Sequence, residues 1–222
     1  MNILVIGATG RTGKHVLEQG LQRGHAMTAF TRHPEQLAEM QGLRGVVQGD
    51  ALDLAAVRKA VRGQDAVIVA VGDSGITRTM VTAMQAEGVR RVVITTGRGV
   101  TMTRPRLLVM LTWLLFHESQ ADLTRAEGML QGSGLDWSIV RLGMLTNKPF
   151  TGQVHTDFEA NATGGTMTVA RADCAMTLLD VIENPQMSRK ALGVGGLKSA
   201  KKGSQISSFI SHDVAHPGEA AL

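Results

Sequence analysis

Gly7, Gly10 and Gly13 recur at intervals of three in the segment Gly7-Ala-Thr-Gly10-Arg-Thr-Gly13, and the apolar residues 1–6 (MNILVI) precede them directly. That order of residue types predicts a short buried strand turning through glycines into a helix. Without Cβ atoms, such a turn lets backbone amides approach a pyrophosphate, with the positive end of a helix behind them. The spacing is G-x-x-G-x-x-G, whereas the commoner dinucleotide fingerprint is G-x-G-x-x-G. A glycine triplet alone is frequent in tight turns. Here a strand comes before it, a helix after it, and the next strand about twenty residues on, the context that points to dinucleotide binding.

The end of the second apolar segment reads Phe30-Thr31-Arg32-His33. A site selecting NAD places Asp or Glu there to accept from the ribose 2′-hydroxyl. No carboxylate is present in this stretch, and a guanidinium at Arg32 suits a 2′-phosphate through charge-assisted hydrogen bonds. Arg11, inside the glycine turn, could face the same group; the competing reading leaves both arginines solvated. NADP(H) is therefore the expected cofactor and NAD(H) the alternative. Asp50 either accepts from the adenine amino group or caps the turn that follows it.

Five polar residues could act near a nicotinamide: Thr95, Thr96, His117, Asp122 and Glu127. Thr96 and His117 are the candidate catalytic groups. A histidine can donate a proton near neutral pH, although His117 also reads as an exposed helix-end residue. Asp122 and Glu127 stand five apart on one helix, a poor spacing for an acid pair, and are expected on a solvated face. Arg98 and Arg104 could receive an anionic substrate or keep a loop soluble. His155, Asp157 and Glu159 alternate without a matching cluster, so no metal site is expected. Cys174, the one cysteine, reads as a small core residue on a helix rather than a nucleophile, and fits a reducing compartment.

Positioning these groups falls to alternating strands and helices. Helices are expected over residues 11–23, 34–40, 53–62, 76–87, 105–117, 119–131 and 173–182. Strands are expected over 1–6, 26–31, 45–48, 65–71, 91–95, 135–141, 166–169 and 191–194, with a loop or hairpin after 141. Residues 65–71 (DAVIVAV) are apolar throughout, the mark of a strand buried on both faces of a parallel sheet. The alternation predicts an α/β fold: a Rossmann-like doubly wound parallel sheet with helices on both faces. One domain over 1–196 is expected, including a small C-terminal substrate-facing part, with residues 197–222 as a flexible tail.

With 222 residues and 43% hydrophobic content, the chain can bury one sizeable core. Aromatics make up only 3%, so Leu, Val, Ile and twelve Met must fill it. Net charge is +4 with dispersed basic residues, which permits attraction to a phosphorylated cofactor without implying nucleic-acid binding. Residues 107–116 form the longest apolar stretch, about half of what a bilayer-spanning helix needs. That stretch reads as a core or dimer-interface helix, as one wall of an apolar substrate pocket, or as a movable lid. No signal peptide is read at the N-terminus. The expectation is a cytoplasmic protein, monomer or homodimer, acting on a small molecule without membrane or nucleic-acid partners.

Several segments together resemble the atypical branch of the short-chain dehydrogenase/reductase superfamily, in particular its NAD(P)H-binding group of biliverdin-IXβ/flavin reductases and NmrA-like proteins. They are Ile6-Gly-Ala-Thr-Gly10-Arg-Thr-Gly13, Val47-Gln-Gly-Asp50, Gly63-Gln-Asp-Ala-Val-Ile-Val69 and Arg91-Val-Val-Ile-Thr-Thr96, then Ser133-Gly-Leu-Asp-Trp137, Lys148-Pro-Phe-Thr-Gly152 and Ala170-Arg-Ala-Asp173. The resemblance implies that Gly7, Thr9, Gly10, Arg11, Thr12 and Gly13 cradle the pyrophosphate and that Arg32 meets the 2′-phosphate. It places Asp50 and Ala51 beside the adenine, Val69, Ala70, Val71 and Gly72 beside the adenosine ribose, and Thr95 and Thr96 near the nicotinamide ribose. The implied activity is NADPH-dependent reduction of a flavin, quinone or carbonyl; the other implied role is an NAD(P)-sensing regulator. The chain departs from the pattern in three ways. It has no tyrosine, which excludes the Tyr-x-x-x-Lys mechanism. Gly97 replaces a serine of the flavin-reductase-like relatives, and Met144 aligns with their histidine.

Overall fold

The computed structural model describes residues 1–98, 106–157 and 165–197, with the side chains of 106–116 excepted. In chain order its strands are β1 (Asn2–Ile6), β2 (Ala26–Thr31), β3 (Gly45–Gln48), β4 (Ala66–Val69), β5 (Arg91–Gly97), β6 (Asp136–Leu142), β7 (Met144–Thr146), β8 (Val154–Asp157), β9 (Thr168–Ala170) and β10 (Lys190–Gly196). The helices are α1 (Arg11–Gln22), α2 (Leu54–Val61), α3 (Ser74–Glu87), α4 (Arg106–Gln131) and α5 (Arg171–Glu183). Eight strands form one sheet in the order β3-β2-β1-β4-β5-β6-β10-β8, and only β8 runs antiparallel to its neighbour. This is the doubly wound order, whose reversal between β1 and β4 opens a crevice at the carboxyl ends of the strands.

Alternation along each strand sends side chains to two cores. Ile3, Val5, Ala29, Ile68 and Val93 face α1 and α5, where Val16, Leu17, Leu178 and Leu179 meet them. Leu4, Ile6, Phe30, Val67 and Ile94 pack on the other side with Val57, Met80, Met84 and Leu130. Cys174 belongs to the first core. Burial pushes its thiol up to about 12, so it stays protonated and unreactive at neutral pH. A thiol-directed reagent is therefore expected to label the native protein at least about a hundred-fold more slowly than the urea-unfolded chain, as followed by mass spectrometry.

Three local expectations change. Residues 105–117 and 119–131 are not two helices but the single α4. No glycine or proline interrupts the sequence from Arg106 to Glu127, so nothing stops propagation. His117 accordingly stands within the helix rather than at its end. Residues 34–40 shrink to a 3-10 turn, Pro34–Leu37. The stretch after β6 is not a hairpin: β7 pairs with β9, and β8 pairs with β10. Residues 198–222, expected as a tail, lie outside the described residues, as do Arg104 and Glu159.

At the end opposite the crevice, Glu183 accepts from His25 (2.7 Å) and Arg23 (3.0 Å), and Arg23 also reaches Asp180 (2.8 Å). Burial alone would raise the Glu183 carboxyl; the hydrogen bonds from His25 and Arg23 outweigh it and hold the group below 4.5. Its stabilising contribution is thus present above that pH and fades as pH falls through the depressed value. Glu183→Gln should lower stability at pH 7 by no more than about 1 kcal/mol, as befits a half-exposed pair. The difference from wild type should shrink progressively in melts as pH falls below the usual carboxylate range.

Candidate functional site

The glycine turn joins β1 to α1. Gly7 adopts φ +82°, a conformation natural only to glycine. Gly10 is the N-cap, donates its amide to the Gly7 carbonyl (3.0 Å), and makes no side-chain cap. A Cβ on Gly13 would stand 2.9 Å from Ala8 Cα and closer still to the Gly7 carbonyl oxygen. The turn is therefore closed to any larger residue there. Amides of the first helical turn have no intrahelical acceptor, and no acidic residue occupies that turn of α1. The result is an electropositive backbone concavity of the kind that holds phosphate.

The ends of β2, β4 and β5 close around it. Thr9 Oγ1 lies 3.0 Å from Thr31 Oγ1, which also accepts from the His33 amide at 3.0 Å. This ties the turn to the loop that carries the exposed Arg32. The Gly49 amide donates to the Thr31 carbonyl (3.0 Å), bringing Asp50 alongside. Asp50 Oδ1 accepts from the Leu52 amide (2.9 Å), so it does cap the turn that follows. Ala51 packs against the second core. Ala70 and Val71 approach to 3.5 Å of where a Gly7 Cβ would stand, and Gly72 follows against Leu123. Of the residues read from the sequence, the glycine turn, Arg32, Asp50, Ala51, residues 69–72, Thr95 and Thr96 lie at the carboxyl ends of the strands. Arg11 is the exception among them: its side chain lines a groove beside α1 rather than the Arg32 loop.

Thr95 and Thr96 are both buried. As successive strand residues they point to opposite sheet faces. Thr95 Oγ1 donates to the Val69 carbonyl at 3.3 Å. Thr96 Oγ1 donates to Glu127 at 2.7 Å. Each hydroxyl has one proton, so with these bonds in place Thr96 can only accept from whatever lies in the crevice.

Glu127 overturns the expectation of a solvated face. It is 4% exposed and takes a two-pronged ion pair from Arg141, Nε at 3.1 Å and Nη2 at 2.7 Å. The β5–β6 register sets Thr96 beside Arg141, and Glu127 descends from α4 onto both. Arg141 was a legible signal: a charge inside an apolar strand requires a buried partner. Asp122 is also engaged, accepting from the Ser74 amide at 2.9 Å and from the Ser74 hydroxyl. Those bonds hold its carboxyl below the usual range and fasten the start of α3 to α4. Arg98 is buried and donates to the Thr166 carbonyl (3.3 Å), with burial lowering its pKa. His117 is exposed on α4.

A second anchor escaped the sequence reading. Asp173, 3% exposed, accepts from the Thr151 amide (2.8 Å), the Thr151 hydroxyl (2.7 Å) and the Gly152 amide (3.0 Å). The matched segments 148–152 and 170–173 are thereby joined.

A family model of NAD(P)H-binding domains matches residues 7–185, which include the glycine turn and every strand end described above. The chain belongs to this NAD(P)H-binding family. An uncharacterized chloroplastic protein of Arabidopsis thaliana is 28% identical, over 94% of this chain and 81% of its own length. An uncharacterized sugar epimerase, YhfK of Bacillus subtilis, is 25% identical over 86% and 92%. Among solved structures, ChuY of Escherichia coli O157:H7, described as an anaerobillin reductase, superposes with a TM-score of 0.78. It is 26% identical, covering 90% of this chain and all of ChuY. A short-chain dehydrogenase/reductase of Veillonella parvula in complex with NADP shares the fold at TM-score 0.78, with 21% identity over 87% and 94%. Among the described residues of this NAD(P)H-binding protein, no helix is long and apolar enough to cross a membrane.

Proposed function

We propose that the protein is an NADPH-dependent reductase of a small organic acceptor, of the atypical short-chain dehydrogenase/reductase type. The observation that carries the cofactor choice is Arg32, exposed just after β2 where residues 30–33 hold no carboxylate, the first acid on that connection, Glu35, being bonded to His33 (3.1 Å). Gly7, Thr9, Gly10, Arg11, Thr12 and Gly13 would hold the pyrophosphate through the turn's amides. Asp50 and Ala51 would flank the adenine, and residues 69–72 the adenosine ribose. The reduced nicotinamide, when bound, supplies a hydride. Thr96, held as an acceptor by Glu127, would orient the nicotinamide half by accepting from it, and Thr95 would hold the strand end against β4.

With both threonine protons directed into the protein, acceptors that take their proton from solvent, flavins and quinones, fit best. A carbonyl acceptor would need an acid, and His117 is the side chain we assign to that role. ChuY's description as a reductase supports the redox reading. A cytoplasmic location accords with the single cysteine.

A second reading, a dinucleotide-sensing regulator of NmrA-like type, draws on the absence of tyrosine from the chain and on Gly97 in place of a hydroxyl-bearing residue. NADPH oxidation followed optically with a flavin, a quinone and a carbonyl separates the two. Turnover with any of them supports the reductase; tight cofactor binding without turnover supports the sensor. Arg32→Ala should weaken NADPH by about ten-fold or more, one charge-assisted bond's worth, and NADH by less than about two-fold. Equal losses would remove the 2′-phosphate assignment.

A further inference from the structure

A cavity of about 910 Å³ runs between α1, residues 146–150 and the start of α5. Its size falls within the range of roughly 300–1,000 Å³ typical of small-molecule sites. Five Lys and Arg side chains line it against one acid, Glu18. Glu18 is already paired with His15 (3.3 Å), and Arg23 is satisfied by Asp180 and Glu183. Arg11, Lys14, Lys148 and Arg171 are left without an ion-pair partner among the described residues. Phe150, 57% exposed, adds an aromatic surface to the same wall.

The wall is built rather than incidental. Arg171 Nη1 donates to Asn147 Oδ1 at 2.6 Å, and Asp173 grips Thr151 and Gly152. The loop is thus tied to α5 at both ends, and Lys148 and Phe150 line the groove between those ties. Across it, Arg11 and Lys14 lie one turn apart on the same face of α1.

We propose that this groove binds a small organic acid with an apolar body, its charged group met by Lys14 and Lys148 and its body laid against Phe150. Because the groove reaches Arg11 in the glycine turn, the acid would lie beside a bound dinucleotide. If the reductase reading holds, the groove selects anionic acceptors; the binding itself does not depend on turnover.

The test uses the full chain and two matched fluorescent probes, 2-naphthoate and the neutral 2-naphthylmethanol, titrated with and without saturating NADPH. The expected result is that naphthoate binds at least about ten-fold tighter than the alcohol, and that a Lys14→Gln/Lys148→Gln double variant removes that preference. Phe150→Ala should weaken both probes alike. NADPH affinity, measured separately, should stay within about two-fold in each variant, which also shows that the variants are folded. Equal binding of acid and alcohol, or an unaltered preference in the double variant, overturns the proposal. Naphthoate binding without NADPH binding leaves this site standing and removes the cofactor reading; the reverse pattern does the opposite.

Discussion

Glu127→Ala is expected to destabilise the protein by about 3–5 kcal/mol, because it leaves the Arg141 guanidinium buried without its counter-charge. Against the roughly 5–15 kcal/mol that holds an ordinary domain together, a loss of that size removes much of the folded margin. The geometry makes Glu127 the point where three elements meet: α4 supplies it, β5 offers the Thr96 hydroxyl, and β6 offers Arg141. Replacing both partners by apolar residues of similar size, Glu127→Leu with Arg141→Met, should recover most of the loss, since no buried charge then remains unpaired. Urea unfolding of the single and double variants measures both effects. A single variant within about 1 kcal/mol of wild type would show that the pair is not buried as described. The double variant carries a functional consequence too. Thr96 loses its acceptor and its hydroxyl proton is freed, so affinity for the nicotinamide half should fall even where stability is restored.

Gly13→Ala should abolish detectable dinucleotide binding, a loss of about a hundred-fold or more. The added methyl meets backbone, not a movable side chain: the Gly7 carbonyl and Ala8 Cα both stand within 2.9 Å. Relief requires the turn itself to open, which withdraws the amides from the phosphate position. Overpacking of this kind also costs about 1–3 kcal/mol of stability. Gly128→Ala is the matched control. It lies within α4 with open space around its Cα, so alanine there should leave binding unchanged and stabilise the helix by about 0.5–1 kcal/mol. Equal binding losses in the two variants would mean that glycine-to-alanine changes act through global stability.

The strands and the turn were legible because their signals are local. Residues 26–31 and 45–48 carry apolar runs bounded by turn residues, and the structure places β2 and β3 on those residues. Asp53 announces its helix and indeed accepts from the Ala55 and Ala56 amides. The turn's function rests on glycine sterics, which sequence displays directly. The side chains that fix the site are another matter. Asp122, Glu127 and Asp173 each act on a residue 20 or more positions away, such as Ser74, Thr96 or Thr151. Helical spacing shows that Asp122 and Glu127 do not share a face; it cannot show that each meets a different partner. Residues 105–117 and 119–131 are expected as two helices and fold as the single α4, since His117, Glu118 and Ser119 are polar rather than helix-breaking. Polarity changes what a helix faces, not whether it continues.

Titration calorimetry of the purified full chain with NADPH and, in parallel, with NADH tests the central claim most directly. The glycine turn and Arg32 together predict one site per chain, with NADPH bound at least about ten-fold more tightly than NADH. No heat from either nucleotide at millimolar concentration would contradict the account at its base.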